Sequence, residues 1–190
     1  MYLSPLEIIY KYYPNDDELR RLLIHHSTQV AAHALHVAAK HPELQVDVDL
    51  LYRGAMLHDI GIFQTNAPGI HCQGELPYLS HGRCGAKILR NEGDEAVARI
   101  CERHTGTGLT AQQIQERSLP LPAEDFCPET LEEQIVCYAD KFYSKSHPES
   151  AKTLERVIAS LEKFGNEGIK KFMIWHKMFG WEVMLKSLKG

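Results

Sequence analysis

No two cysteines in this 190-residue chain are spaced as CxxC, and the five present (Cys72, Cys84, Cys101, Cys127, Cys137) make an odd set. That excludes a disulfide framework and a zinc ribbon or knuckle, and leaves buried free thiols as the expectation. Long apolar runs are also missing. None approaches the roughly 18 residues needed to span a bilayer, and the start MYLSPLEIIYKYYPNDDELRR lacks the basic region and apolar block of a signal peptide. A cytoplasmic location without a membrane partner is therefore expected. Positive charge is not in excess: 21 Lys and Arg stand against 25 Asp and Glu, a formal charge of −4. The whole-protein field does not draw in polyanions, so a nucleic-acid polymer is not the expected partner.

The chain does have ordinary globular composition, 44% hydrophobic and 24% charged, and a length that suits one domain. Apolar residues recur at helical period almost throughout, with no alternating strand pattern, which predicts an all-α fold. Helices are expected at about Asp17–His41 (capped by Asn15 or Asp16), Asp49–Asp59, Ser80–Asn91 (capped by Ser80) and Asp94–His104. A short piece at Thr110–Arg117 and longer helices at Glu129–Tyr143, Pro148–Phe164 and Glu167–Leu188 complete the set. Between the second and third lies Phe63–Leu79, whose Pro68, Gly69, Gly74 and Pro77 read as a loop long enough to serve as a lid. The expectation is a single domain over residues 1–190, with a core at about 20–145 and a C-terminal helical extension, 146–190, packed on it.

Histidine is the unusual count, 11 in 190 residues. On the first long helix Leu19, Leu23, Val30 and Val37 share a face at 100° per residue, and His26 and His33 lie on its inward side. Leu51, Ala55 and Leu57 lead into His58-Asp59. His81 opens a stripe continued by Gly85, Ile88 and Leu89, His104 closes one begun by Val97, Ile100 and Cys101, and Asp140 follows Val136 by four. Four imidazoles and two carboxylates on core-facing stripes are costly unless they satisfy one another or a cation. A divalent metal answers that need, and a His and carboxylate set suits Zn, Fe, Mn, Co or Ni rather than Cu(I) or an iron–sulfur cluster.

HHSTQVAAHALHVAAK, MLHDIGIF, LSHGRCGAKILRNEG, RHTGTG and IVCYADKFYSK, in that order, resemble the HD-domain superfamily of metal-dependent phosphohydrolases. The likeness spans about residues 20–145. It implies a helical bundle in which His26, His58, Asp59 and Asp140 hold one metal, His81 and His104 a second, and Asp59 bridges. The His81-x3-Gly-Ala element, the RHT and the ADK segment are similar to the small two-metal branch that includes the symmetrical dinucleoside-tetraphosphate hydrolases. The resemblance implies a binuclear centre of divalent ions, Mg included. A metal-bound hydroxide would cleave a phosphate ester or anhydride of a nucleotide or other small phosphorylated metabolite. Asp140 would orient or deprotonate the nucleophile, and Lys141 and Arg83 would clamp phosphate oxygens. The same six ligands serve a di-iron oxygenase in the superfamily's myo-inositol oxygenase-like members, and a non-catalytic nucleotide sensor is a third reading.

Each of these residues has a plainer reading as well. His33 faces nearly as His26 does and is the rival ligand, read here as a packing or supporting residue. Asn66 and His71 in the lid, Arg103, and the Thr105–Gly108 run either approach substrate or are what a polar loop and a helix stop look like. Phe172, Trp175, Phe179 and Trp181 are spaced as core or homodimer-interface residues before any base-stacking role.

Overall fold

The computed structural model describes residues 3–180. Nine α-helices run through these residues: α1 Pro5–Tyr12, α2 Glu18–Lys40, α3 Val48–Leu57, α4 His81–Asn91, α5 Glu95–Arg103, α6 Ala111–Glu116, α7 Leu131–Asp140, α8 Leu154–Leu161 and α9 Asn166–Phe179. The all-α expectation holds, and the helix starts have identifiable caps. Asp17, rather than Asn15 or Asp16, accepts the Arg20 N–H at the head of α2. Thr130 and Glu133 form a capping box at α7. Ser80 caps nothing: it sits in helical backbone at the end of the Tyr78–Ser80 3₁₀ turn, which runs straight into α4. The helix expected over Pro148–Phe164 begins only at Leu154, where Thr153 supplies the cap. Trp181 and the rest of the helix expected to Leu188 lie outside the described residues.

Two features had no counterpart among the elements expected from periodicity. Helix α1 precedes α2, and Ser4 and Glu7 cap it reciprocally with Pro5 in its first turn. The expected loop at 63–79 holds a small sheet of β1 Thr65–Ala67, β2 Cys72–Gln73 and β3 Leu76–Pro77. β1 is central, antiparallel to β2 with Asn66 opposite Gln73, and parallel to β3 with Thr65 opposite Leu76.

α3 is the middle of the bundle, in contact with α1, α2, α5 and α7. Leu23, Val30, Ala34 and Val37 from α2 meet Leu51 and Ala55 from α3, Val97 and Cys101 from α5, and Ile135, Val136 and Ala139 from α7, all buried. Behind α7, the Phe172 ring of α9 stacks on Tyr138 at 5.2 Å, and Tyr138 Oη lies 2.9 Å from His176 Nδ1. Phe172, Trp175 and Phe179 are buried within the chain. Of the cysteines, Cys72, Cys101 and Cys137 are buried, while Cys84 and Cys127 are only half-buried.

Glycine fixes the closest approach in the bundle. A Cβ on Gly61 would stand 2.3 Å from both the His81 carbonyl oxygen and the Gly85 nitrogen, and one on Gly85 would stand 2.4 Å from Cys101 Sγ. Real atoms do not pack that closely, so only glycine lets the turn after α3 touch the backbone of α4, and α4 touch α5. These contacts set the distance between Asp59, His81 and His104.

A buried histidine and aspartate centre facing a lysine-lined cavity

Six side chains from five elements converge behind that glycine contact. His26 comes from α2, His58 and Asp59 from the turn closing α3, His81 from the first residue of α4, His104 from the end of α5 and Asp140 from the last residue of α7. In one group His26 Nε2 lies 3.3 Å from His58 Nε2, 3.0 Å from Asp140 Oδ1 and 3.2 Å from Asp59 Oδ2. His58 Nε2 lies 3.1 Å from the same Asp59 oxygen. In the other, His81 Nε2 and His104 Nε2 are 3.0 Å apart, and 3.4 and 3.5 Å from Asp59 Oδ1. The two oxygens of Asp59 thus face different groups.

Hydrogen bonding decides what these nitrogens can be. The Nδ1 atoms of His58, His81 and His104 lie 2.7, 2.6 and 2.6 Å from the carbonyl oxygens of Ala55, Tyr78 and Cys101. A carbonyl only accepts, so each Nδ1 carries a proton and each ring turns its Nε2 toward the centre, as a lone pair in the neutral rings of His81 and His104. Two lone pairs 3.0 Å apart, both facing a carboxylate oxygen, repel unless a cation stands among them. Donors bound at about 2.0–2.1 Å to one ion are about 2.9 Å apart in an octahedral site and about 3.4 Å in a tetrahedral one. The observed spacings, 3.0–3.5 Å, lie within about 0.1 Å of that range, so the residues fit a divalent metal, and each group can hold one.

Charge in the centre is strongly biased. Burial opposes ionisation of Asp59, yet the Lys145 ammonium, 2.5 Å from its Oδ2, and His58 hold its carboxyl well below the usual range. Asp140 is held low in the same way, against its burial, by Lys141 and by its hydrogen bonds to His26 and His58. His58 is buried too, but Asp59 and Asp140 push it up to about 9. Burial instead pulls His81 down to about 3, and His104 down as well. Two buried thiols steady the frame: Cys101 donates to the His58 carbonyl at 2.9 Å and Cys137 to that of His104 at 3.3 Å.

The centre opens on a cavity of about 480 Å³. Its lining includes four lysines, Lys141, Lys145, Lys152 and Lys163, with Asp140 as its acid. Lys141 Nζ donates to Asp140 Oδ2 at 2.7 Å and to the His104 carbonyl at 3.0 Å. Arg83, expected beside it, is exposed and outside the lining, because two residues along α4 from His81 is about 200° around the helix. Lys145 and Lys152, which no sequence pattern singles out, bring the charge instead. The lid contributes Ala67, Gly69, Ile70 and Tyr78 rather than Asn66 or His71, and His71 pairs with Glu18 at 3.1 Å. Thr105 and Gly106 line the cavity, whereas Arg103 pairs with Glu129 at 2.8 Å. His33 is held away from the centre among the rings of Tyr138, Phe142 and Tyr143.

Fold and centre together define a helical domain whose interior is arranged to receive divalent cations. The HD domain family model matches residues 23–144, and the chain belongs to that family. It is 43% identical over 110 residues to the uncharacterized protein MJ0778 of Methanocaldococcus jannaschii, covering 57% of each chain. Over 163 residues it is 34% identical to the tRNA (cytidine(56)-2'-O)-methyltransferase of Thermoplasma volcanium, covering 85% of this chain and 41% of that one. The chain thus spans about half the length of the curated relatives it matches. Among solved structures, the HD domain of the L. monocytogenes phosphodiesterase PgpH aligns with a TM-score of 0.55 and 18% identity over 98% of this chain and 99% of that one, a likeness of fold. Among the described residues no helix is long and apolar enough to cross a membrane.

Proposed function

We propose that this domain is a metal-dependent phosphohydrolase acting on the ester or anhydride bond of a small phosphorylated metabolite, with nucleotides the first class to test. One observation carries the reading: a centre of imidazole lone pairs and carboxylates opens on a cavity whose lining holds four lysines. His26, His58, Asp59 and Asp140 would hold one divalent ion, and Asp59, His81 and His104 a second, in the two-metal manner of the branch its motifs resemble. Bound there, a divalent ion supplies Lewis acidity for phosphoryl oxygens and brings the pKa of a water toward about 7.

The chain's own groups do the remainder. Asp59, with an oxygen in each group, fixes their separation. Lys141 holds Asp140 through Oδ2 and leaves Oδ1 turned to the centre, where Asp140 orients the attacking water and takes its proton. As water adds to phosphorus and the P–O bond to the leaving oxygen breaks, Lys141 and Lys145 face the charge that builds on the phosphoryl oxygens. The methyltransferase name belongs to a protein of which this chain spans 41%. Converging imidazole Nε2 atoms and carboxylate oxygens suit a compact divalent ion, and the family model matches residues 23–144, so the proposal follows the HD family.

A screen of nucleotides and sugar phosphates with the metal-loaded protein tests this. Phosphate release should occur with a redox-inert ion, stop with chelator, and disappear together with metal content in His58→Ala and Asp59→Ala. Activity that survives both substitutions refutes the site. Dioxygen uptake without phosphate release would favour the di-iron oxygenase, and tight nucleotide binding without turnover the sensor.

A further inference from the structure

Two of the four cavity lysines are accounted for by the centre, since Lys141 is bonded to Asp140 and Lys145 to Asp59. The other two are not. Lys152 is half-buried, and its Nζ donates to the Lys141 carbonyl at 3.3 Å. Lys163 Nζ stands 5.1 Å from the centre of the Phe164 ring. Among the described residues neither has a carboxylate within ion-pair distance. Burial draws the Lys152 pKa down, and the ammonium groups of Lys141, Lys145 and Lys163 add to this against the opposing pull of Asp140.

Lys152 is half-buried and Lys163 exposed, but the backbone that carries each is tied into the fold. The Lys152 N–H donates to the Phe142 carbonyl at 2.6 Å, which ties it to the turn after α7. Lys163 and Phe164 lie in a 3₁₀ turn after α8, and Arg117 at the end of α6 donates to both of their carbonyls at 3.0 Å. The Phe164 ring packs on Gly106, where φ is +61° and a Cβ would stand 3.2 Å from the ring. Gly106 is two residues from His104, so this wall keeps a fixed distance from the centre.

We propose that Lys152 and Lys163 form a second anion subsite, so that the preferred substrate carries another phosphoryl group besides the one presented to the histidine and aspartate centre. This deepens the phosphohydrolase reading and rests on it. A substrate with one phosphate at the centre leaves both ammonium groups without a phosphoryl partner, whereas a second phosphoryl group in the same cavity would supply one. The C-terminal segment thereby becomes a determinant of substrate choice.

Non-hydrolysable probes test the subsite without turnover. Methylphosphonate and methylenediphosphonate are titrated calorimetrically into metal-loaded protein, with free metal held constant. The wild type should bind the diphosphonate about tenfold or more tightly than the monophosphonate, as expected for added charge-assisted contacts. Lys152→Gln/Lys163→Gln should bring the two within about twofold by weakening the diphosphonate far more than the monophosphonate, with metal content unchanged, and Lys152→Arg should keep the preference. A preference that persists in the double variant overturns the subsite and leaves the phosphohydrolase reading standing. Failure of the wild type to bind either probe overturns both.

Discussion

Replacing Lys145 by methionine isolates the strongest electrostatic contact in the centre. Its ammonium lies 2.5 Å from Asp59 Oδ2, with side-chain exposures of 12% and 0%. Methionine keeps most of the stem's packing and removes only the charge, which leaves the fully buried carboxylate with His58, 3.1 Å away, as its remaining cationic neighbour. Removing one partner from a buried ion pair costs about 3–5 kcal/mol. At about 2–4 °C per kcal/mol for a chain of this size, the chelator-treated variant should melt roughly 6–20 °C below the wild type. The loss should shrink in acid, because a buried carboxyl that has lost its ammonium partner takes up a proton more readily than one that keeps it. Saturating metal should narrow the gap too, since the ion supplies the positive charge that Lys145 gave, so metal should raise the variant's melting point more than that of the wild type. Scanning calorimetry with and without metal at neutral pH makes the comparison. Equal melting of the two chelated proteins would show that no such pair supports Asp59, and with it would fall the account of how the centre is held without metal.

The glycine contact makes a second prediction. Gly61→Ala puts a methyl carbon 2.3 Å from backbone atoms of α4, so it should destabilise the fold by at least about 1–3 kcal/mol and weaken metal binding as His81 is displaced. Gly69→Ala, with nothing within 4 Å of its added carbon, should leave metal affinity unchanged in the same titration. A third concerns pH. Burial holds His33 well below 6.5 in the fold, so on acidification the unfolded chain takes up a proton there before the native one does. Its neutral form contributes fully above about pH 6.5, and that contribution fades as pH falls below it. His33→Phe should therefore flatten the acid limb of a plot of urea midpoint against pH, and an unchanged limb would contradict the assignment.

The six centre residues were legible because each closes or interrupts an apolar stripe of fixed helical phase, so the period that places Leu23 and Val30 inside also places His26 there. The rival His33, which faces nearly as His26 does, was read as a packing residue, and the rings of Tyr138, Phe142 and Tyr143 that surround it give the reason, which periodicity does not carry. Arg83 shows where this reasoning stops working. Nearness to His81 in sequence suggested nearness in space, but on a helix the second residue along points to the opposite side, whereas Lys141, at the point where α7 ends, stays beside Asp140. Lys145 and Lys152 follow α7 in turns that have no period, so no rule of phase could aim them. The small sheet escaped for a similar reason, because strands of two or three residues are too short to alternate. Helix α1 was different: Ser4, Pro5 and Glu7 carry a complete N-terminal signal that was there to be read.

What distinguishes this chain from a bare bundle with a metal-shaped centre is how its glycines divide the work. Gly61 and Gly85 contribute no chemistry, yet without them α4 could not sit against the turn after α3, and His81 would stand outside reach of Asp59. Gly106, in a left-handed conformation that favours glycine, does for the cavity what those two do for the centre, since it lets the Phe164 ring close against the turn that follows His104. One set of glycines fixes where cations are received, and the other fixes how far away the C-terminal lysines stand. Because the two contacts share no atoms, substitutions at Gly61 and at Gly106 should separate: the first should act on metal affinity, and the second on the discrimination between one and two phosphoryl groups.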